Sequence, residues 1–146
     1  MTRMKIVPTI SSDTTGPLGV AHLPRFWQKV LLSEKGLLPA GYDFCGQGYD
    51  QMVLDGLGLD RAETLAFLKT VPSYFAFEKW ILGKKGGKLD AQAVEKLNAA
   101  IRGYIHTDAT RQSILSAAGI EDKGLFKDAV RLNTFDDWTE FHASLK

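Results

Sequence analysis

Residues 90–105, DAQAVEKLNAAIRGYI, decide the fold class. Val94, Leu97, Ile101, Tyr104 and Ile105 recur at intervals that line one side of an α-helix, while Glu95, Lys96, Asn98 and Arg102 fall elsewhere. Asp90 stands where a side-chain acceptor caps a first turn. A strand would need apolar and polar residues to alternate, and no segment of the chain does so for long.

The same helical signals continue on both sides. Toward the amino terminus, GKKGGK at 83–88 reads as a flexible basic turn. Before it, Ser73 caps a helix with Tyr74, Phe77 and Ile81 at helical spacing, and Phe75 and Trp80 leave that helix on different sides. Pro72 closes the preceding helix, which Asp60 and Glu63 open as a capping-box-like pair and which buries Leu65, Leu68 and Val71. Asp50 or a neighbour caps a short helix with Met52, Val53 and Leu57, limited by Gly56 and Gly58. Residues 36–49, GLLPAGYDFCGQGY, form a loop. Pro24 opens the first helix, Phe26, Trp27, Val30 and Leu31 give its apolar stripe, and Gly36 ends it. Beyond the quoted stretch three short helices are expected, at 109–118, 124–132 and 135–145. Thr134 caps the last, and Phe135, Trp138, Phe141 and Leu145 face inward.

The expectation is an all-α fold. It comprises an extended arm over 1–21 and one helical domain over 22–146, an irregular orthogonal bundle of about six to eight short helices. No internal repeat or low-complexity tract interrupts it. At 146 residues the chain suits one domain, which buries about 68–70% of the surface its unfolded form exposes. With 18 basic and 17 acidic side chains the net charge is +1, and a balanced surface argues against nucleic acid. Cys45 is the single cysteine, so disulfides and cysteine-rich metal sites are excluded, and a reducing, cytoplasmic setting is expected. No apolar run approaches the ~20 residues of a membrane span, and none near the start has the length of a signal peptide core.

Familiar chemical spacings are missing. GKKGGK lacks the terminal hydroxyl residue and the preceding strand of a phosphate loop, and a solvated turn explains Lys79, Lys84, Lys85 and Lys88. His22, His106 and His142 lie far apart, so no metal site and no cofactor is expected. Chemistry-bearing residues concentrate between Gly19 and Asp50. His22, Arg25 and Lys29 bring an imidazole and two cations to the first turns of one helix. The loop after it carries Tyr42, Asp43, Phe44, Cys45, Tyr49 and Asp50 between glycines. A guanidinium fork suits a carboxylate or phosphate, and aromatic loop residues can wall a pocket. The bland reading is that Arg25 pairs with Asp43 or Asp50 and that His22 caps backbone groups. Cys45 with His22 has the residue types of a nucleophile and base, against which stands a small buried hydrophobe.

GVAHLPRFWQKV at 19–30, YDFCGQGYDQMVLDGLGLDRAETLAFL at 42–68 and FEKWI around Trp80 together resemble a family of small bacterial proteins, domain-of-unknown-function family 5069. The likeness covers about residues 17–142. The long GKKGGK turn and Cys45-Gly46-Gln47 depart from the family pattern. The resemblance implies a helical single domain, and it supplies no activity and no catalytic residue to carry over.

Function is therefore expected as binding of a small anionic metabolite near the start of the first helix, with the question of an enzyme left open. Arg25 and Lys29 would hold its acid group, Tyr42 and Tyr49 would orient it, and His22 would be the candidate for proton transfer. The rival reading is a homodimer or other protein-interaction module, with helix 73–82 or the carboxyl-terminal helix as its face.

Overall fold

A computed structural model describes residues 4–146; the start of the expected arm, residues 1–3, lies outside the described residues. The stretch quoted first is helical, and its boundary positions everything that follows. The Asp90 carboxylate accepts from the Gln92 N–H, and the helix runs Ala91–Gly103 with Leu97 and Ile101 buried. It stops two residues earlier than the apolar spacing predicts. Gly103 is a poor helix former, and Tyr104 turns to extended backbone, φ −69° and ψ 130°. Tyr104 and Ile105 are therefore exposed rather than on the core face. Their backbone pairs instead with residues 127–129. Ala129 N–H donates to Tyr104 O at 2.9 Å, His106 N–H donates to Lys127 O at 3.1 Å, and Ile105 and Asp128 form an antiparallel bridge.

Among the described residues there are seven helices and no sheet. They are α1 (Leu23–Glu34), α2 (Tyr49–Leu57), α3 (Arg61–Leu68), α4 (Tyr74–Lys84), α5 (Ala91–Gly103), α6 (Asp108–Ala118) and α7 (Ala129–Ala143). The fold is an irregular helical bundle, as expected. Asp60 and Ser73 cap α3 and α4 by accepting from Glu63 N and Ala76 N. Leu23, Phe26 and Val30 of α1 meet Val53, Leu54 and Leu57 of α2, Leu68 of α3, Phe77 and Ile81 of α4, and Leu97 and Ile101 of α5 in one core. Each such side chain contributes about 1.5–3 kcal/mol by leaving water. α6 packs chiefly on α7, and this hairpin buries Leu115 and Leu132 apart from the main cluster. None of the described helices is long and apolar enough to cross a membrane.

Four local expectations are overturned. The two helices expected at 124–132 and 135–145 are the single α7, capped by Asp128 accepting from Arg131 N. No breaker separates them, and the Thr134 hydroxyl donates back to Val130 O at 3.1 Å as a mid-helix residue does. In that continuous register Asp137 is buried, which turns its neighbour Trp138 outward, and the last turn runs past its neighbours with Phe141 and Leu145 exposed. Asp50 is not a cap: Gly48 precedes α2, and Asp50 lies in its first turn with its carboxylate buried. Val71 is not in the core. α3 ends at Leu68 because the residue before Pro72 avoids helical backbone, and Val71 is 37% exposed with φ 59°, a left-handed conformation costly for a β-branched residue.

The described arm is docked along its length. Ile6 N–H donates to Leu37 O at 2.7 Å, Thr9 N–H to Gln28 Oε1 at 2.9 Å and Ala21 N–H to Asn98 Oδ1 at 2.8 Å. Gly16 sits so tightly on α4 that a β-carbon there would lie 2.5 Å from the Tyr74 ring and 2.7 Å from Glu78 Oε2. Gly16→Ala should therefore lower unfolding free energy by about 1–3 kcal/mol, read as a fall in the urea midpoint at unchanged slope.

Candidate functional site

The first turn of α1 begins on a strained residue. His22 precedes the helix with φ 69° and ψ −19°, left-handed backbone that a non-glycine residue keeps only when its surroundings hold it. Its buried ring is held at both nitrogens. Nε2 lies 2.6 Å from Asp50 Oδ1, and Nδ1 lies 3.0 Å from Ser12 Oγ. The other Asp50 oxygen accepts from Lys29 Nζ at 2.6 Å and from Gly46 N–H at 2.8 Å. Lys29 stands two turns along α1 from His22, so both reach the same carboxylate, and its ammonium also donates to Asp43 O at 3.1 Å.

Protonation states follow from this geometry. Burial holds the His22 imidazole below its ordinary pKa, so it is neutral. Burial alone would raise the Asp50 carboxyl, but the His22 hydrogen bond and the Lys29 ammonium overcome it and hold the carboxyl below its ordinary value. An ionised carboxylate only accepts, so His22 carries its proton on Nε2, and its Nδ1 accepts a hydrogen bond from the Ser12 hydroxyl.

The second anchor joins α1 to α7. Arg25 and Asp137 form a two-pronged pair, NH1 to Oδ2 at 2.6 Å and NH2 to Oδ1 at 3.0 Å, and NH1 also donates to Ile10 O at 2.9 Å. The Tyr42 hydroxyl donates to Asp137 Oδ1 at 2.8 Å, and burial together with Asp137 raises its phenol far above the ordinary value. Arg25 does pair with an acid, but with one 112 positions away rather than Asp43 or Asp50.

Between these anchors lies a hollow of about 250 Å³. His22, Arg25, Lys29, Tyr42 and Tyr49 all line it. Four further polar or aromatic side chains of the wall were not singled out as site residues by the sequence: Tyr104 and His106 beyond α5, and Asn133 and Asp136 on α7. His106 Nε2 lies 2.9 Å from Asn133 Oδ1. The signal that could have found the α7 wall is the acidic pair Asp136-Asp137 between the aromatic residues Phe135 and Trp138. Tyr49 donates its hydroxyl to Ile101 O at 2.5 Å and packs its ring 5.1 Å from His22, so it forms wall rather than reaching inward with its oxygen.

The arrangement limits the chemistry. Ser12, His22 and Asp50 are the residue types of a hydrolase triad, yet Ser12 is 1% exposed and is not part of the cavity wall, so no guest reaches its hydroxyl. Cys45 is also buried and outside the wall; burial pushes its thiol pKa up, away from the thiolate a nucleophile needs. No group of three or more metal-ligating side chains occurs among the described residues, and His142 is exposed near the end of α7. No family model, curated protein or solved structure matches the chain.

Two measurements test this network. The unfolded chain takes up the His22 proton near the ordinary value of 6.5, whereas the folded chain resists it. Stability present above that pH should fall as the medium is acidified, by at most about 1.4 kcal/mol per pH unit for one proton. The Asp50 contribution follows at lower pH, below about 3.8. Urea unfolding across this range should show the first slope, and His22→Gln should remove it while His142→Gln leaves it. Arg25→Ala strands the buried Asp137 carboxylate and should cost about 3–5 kcal/mol, part of which Arg25→Ala combined with Asp137→Ala recovers.

Proposed function

We propose that the protein binds a small polar organic molecule in the hollow between α1, the 41–48 loop, α2 and α7. One observation carries this reading: five side chains selected from the sequence for their chemistry line the same cavity, together with groups contributed from α7 and the segment after α5. Convergence of side chains from such distant segments on a space of about 250 Å³ is what ligand recognition requires. The volume lies below the roughly 300–1,000 Å³ of drug-sized pockets, so the guest is a small metabolite. The element GVAHLPRFWQKV supplies His22, Arg25 and Lys29 to this wall.

The reading is binding ahead of covalent catalysis, since both nitrogens of His22 are engaged and the two candidate nucleophiles lie outside the wall. A filled cavity separates it from a purely structural cluster. A β-carbon at Gly46 would meet Asp43 and Asp50 only at ordinary contact distances of 3.7 Å, so a larger side chain can enter the space without displacing backbone. Small molecules identified by native mass spectrometry of the purified protein should lose affinity by about tenfold or more in Gly46→Leu, with the thermal midpoint nearly retained. Undiminished binding in that variant places the ligand elsewhere.

A further inference from the structure

The cavity has more acid than free base. Lys29 and Arg25 were expected to receive an acid group, but each already faces a carboxylate at 2.6 Å, Asp50 and Asp137 respectively. An incoming anion would have to compete with those carboxylates and leave one buried without its partner. It would also meet Asp136, a half-buried wall carboxylate that makes no hydrogen bond or ion pair among the described residues. Burial, then Glu140 and Asp137, raise its pKa, against which Arg25 and His106 act weakly. A carboxyl group so placed, in a hollow and short of cations, gains most from a positive partner.

Resting on the cavity reading above, the geometry points to a cationic guest: a small amine whose ammonium group meets Asp136 beside the aromatic walls Tyr42 and Tyr104. The ammonium supplies the donors that Asp136 lacks, and the tyrosine π-systems attract a cation while packing its carbon chain. The paired cations remain in place. Their role is to hold α1, the loop and α7 around the space rather than to bind the ligand's charge.

The test uses probes matched in size and opposite in charge. Tyramine and n-butylamine are titrated into the full chain beside 4-hydroxyphenylacetate and butyrate, with 4-ethylphenol as the neutral member, at fixed pH and ionic strength. Binding is read from the amide signals of Gly46 and Gly48, both on the cavity wall. The amines should bind at least about tenfold more tightly than the acids. Asp136→Asn should weaken amine binding about tenfold, while Asp136→Glu retains it and Glu95→Gln, exposed on α5 and outside the cavity wall, leaves it within about twofold. Tighter binding of the acids, or amine binding unchanged in Asp136→Asn, overturns the assignment of charge and leaves the cavity reading standing. If no probe, the neutral phenol included, moves the Gly46 and Gly48 signals, the cavity reading fails and this inference falls with it.

Discussion

A carboxylate taken out of water must be given back its hydrogen bonds, and much of this structure is arranged around that requirement at Asp50. Its two oxygens take three donors from two segments: the His22 ring at the start of α1, the Lys29 ammonium further along the same helix, and the Gly46 amide in the loop. Ser12, from the arm, completes the chain behind His22. None of these groups could be buried alone at tolerable cost. Together they fix the angle at which α2 leaves the loop and hold the left-handed backbone at His22.

The Arg25–Asp137 pair does the same work at longer range. The hairpin of α6 and α7 has its own small apolar interior and adds little to the main core. Its seat is defined largely by directional contacts: the bidentate pair, the Tyr42 hydroxyl, and the short backbone pairing of residues 104–106 with 127–129. Buried ion pairs contribute little net stability compared with apolar packing, but they are costly to break and exact in geometry. Here that geometry leaves a hollow rather than a closed interface.

This arrangement also explains why residue types alone overstate the cations free to meet a ligand. Arg25 and Lys29 read as available cations because their partners, Asp137 and Asp50, look like surface acid and helix cap in the linear chain. Ser12, His22 and Asp50 likewise assemble a familiar set of groups, but the Ser12 hydroxyl is buried outside the cavity wall. Chemistry follows from accessible surface and from what is already paired, and neither is a property of composition.

Local physics was legible in the chain itself. Apolar spacing of three and four, capping residues such as Asp60, Ser73 and Asp90, and breakers such as Gly36 and Pro72 act within a turn or two, so the helical class and most boundaries could be read directly. The concentration of titratable and aromatic residues between His22 and Asp50 was equally plain. What only the tertiary structure decided is which acid each base meets, where α5 stops, and that α7 turns Asp137 inward and Trp138 outward. Those outcomes depend on contacts such as Arg25 with Asp137 across 112 positions, where burial, rather than any local preference, selects the partner.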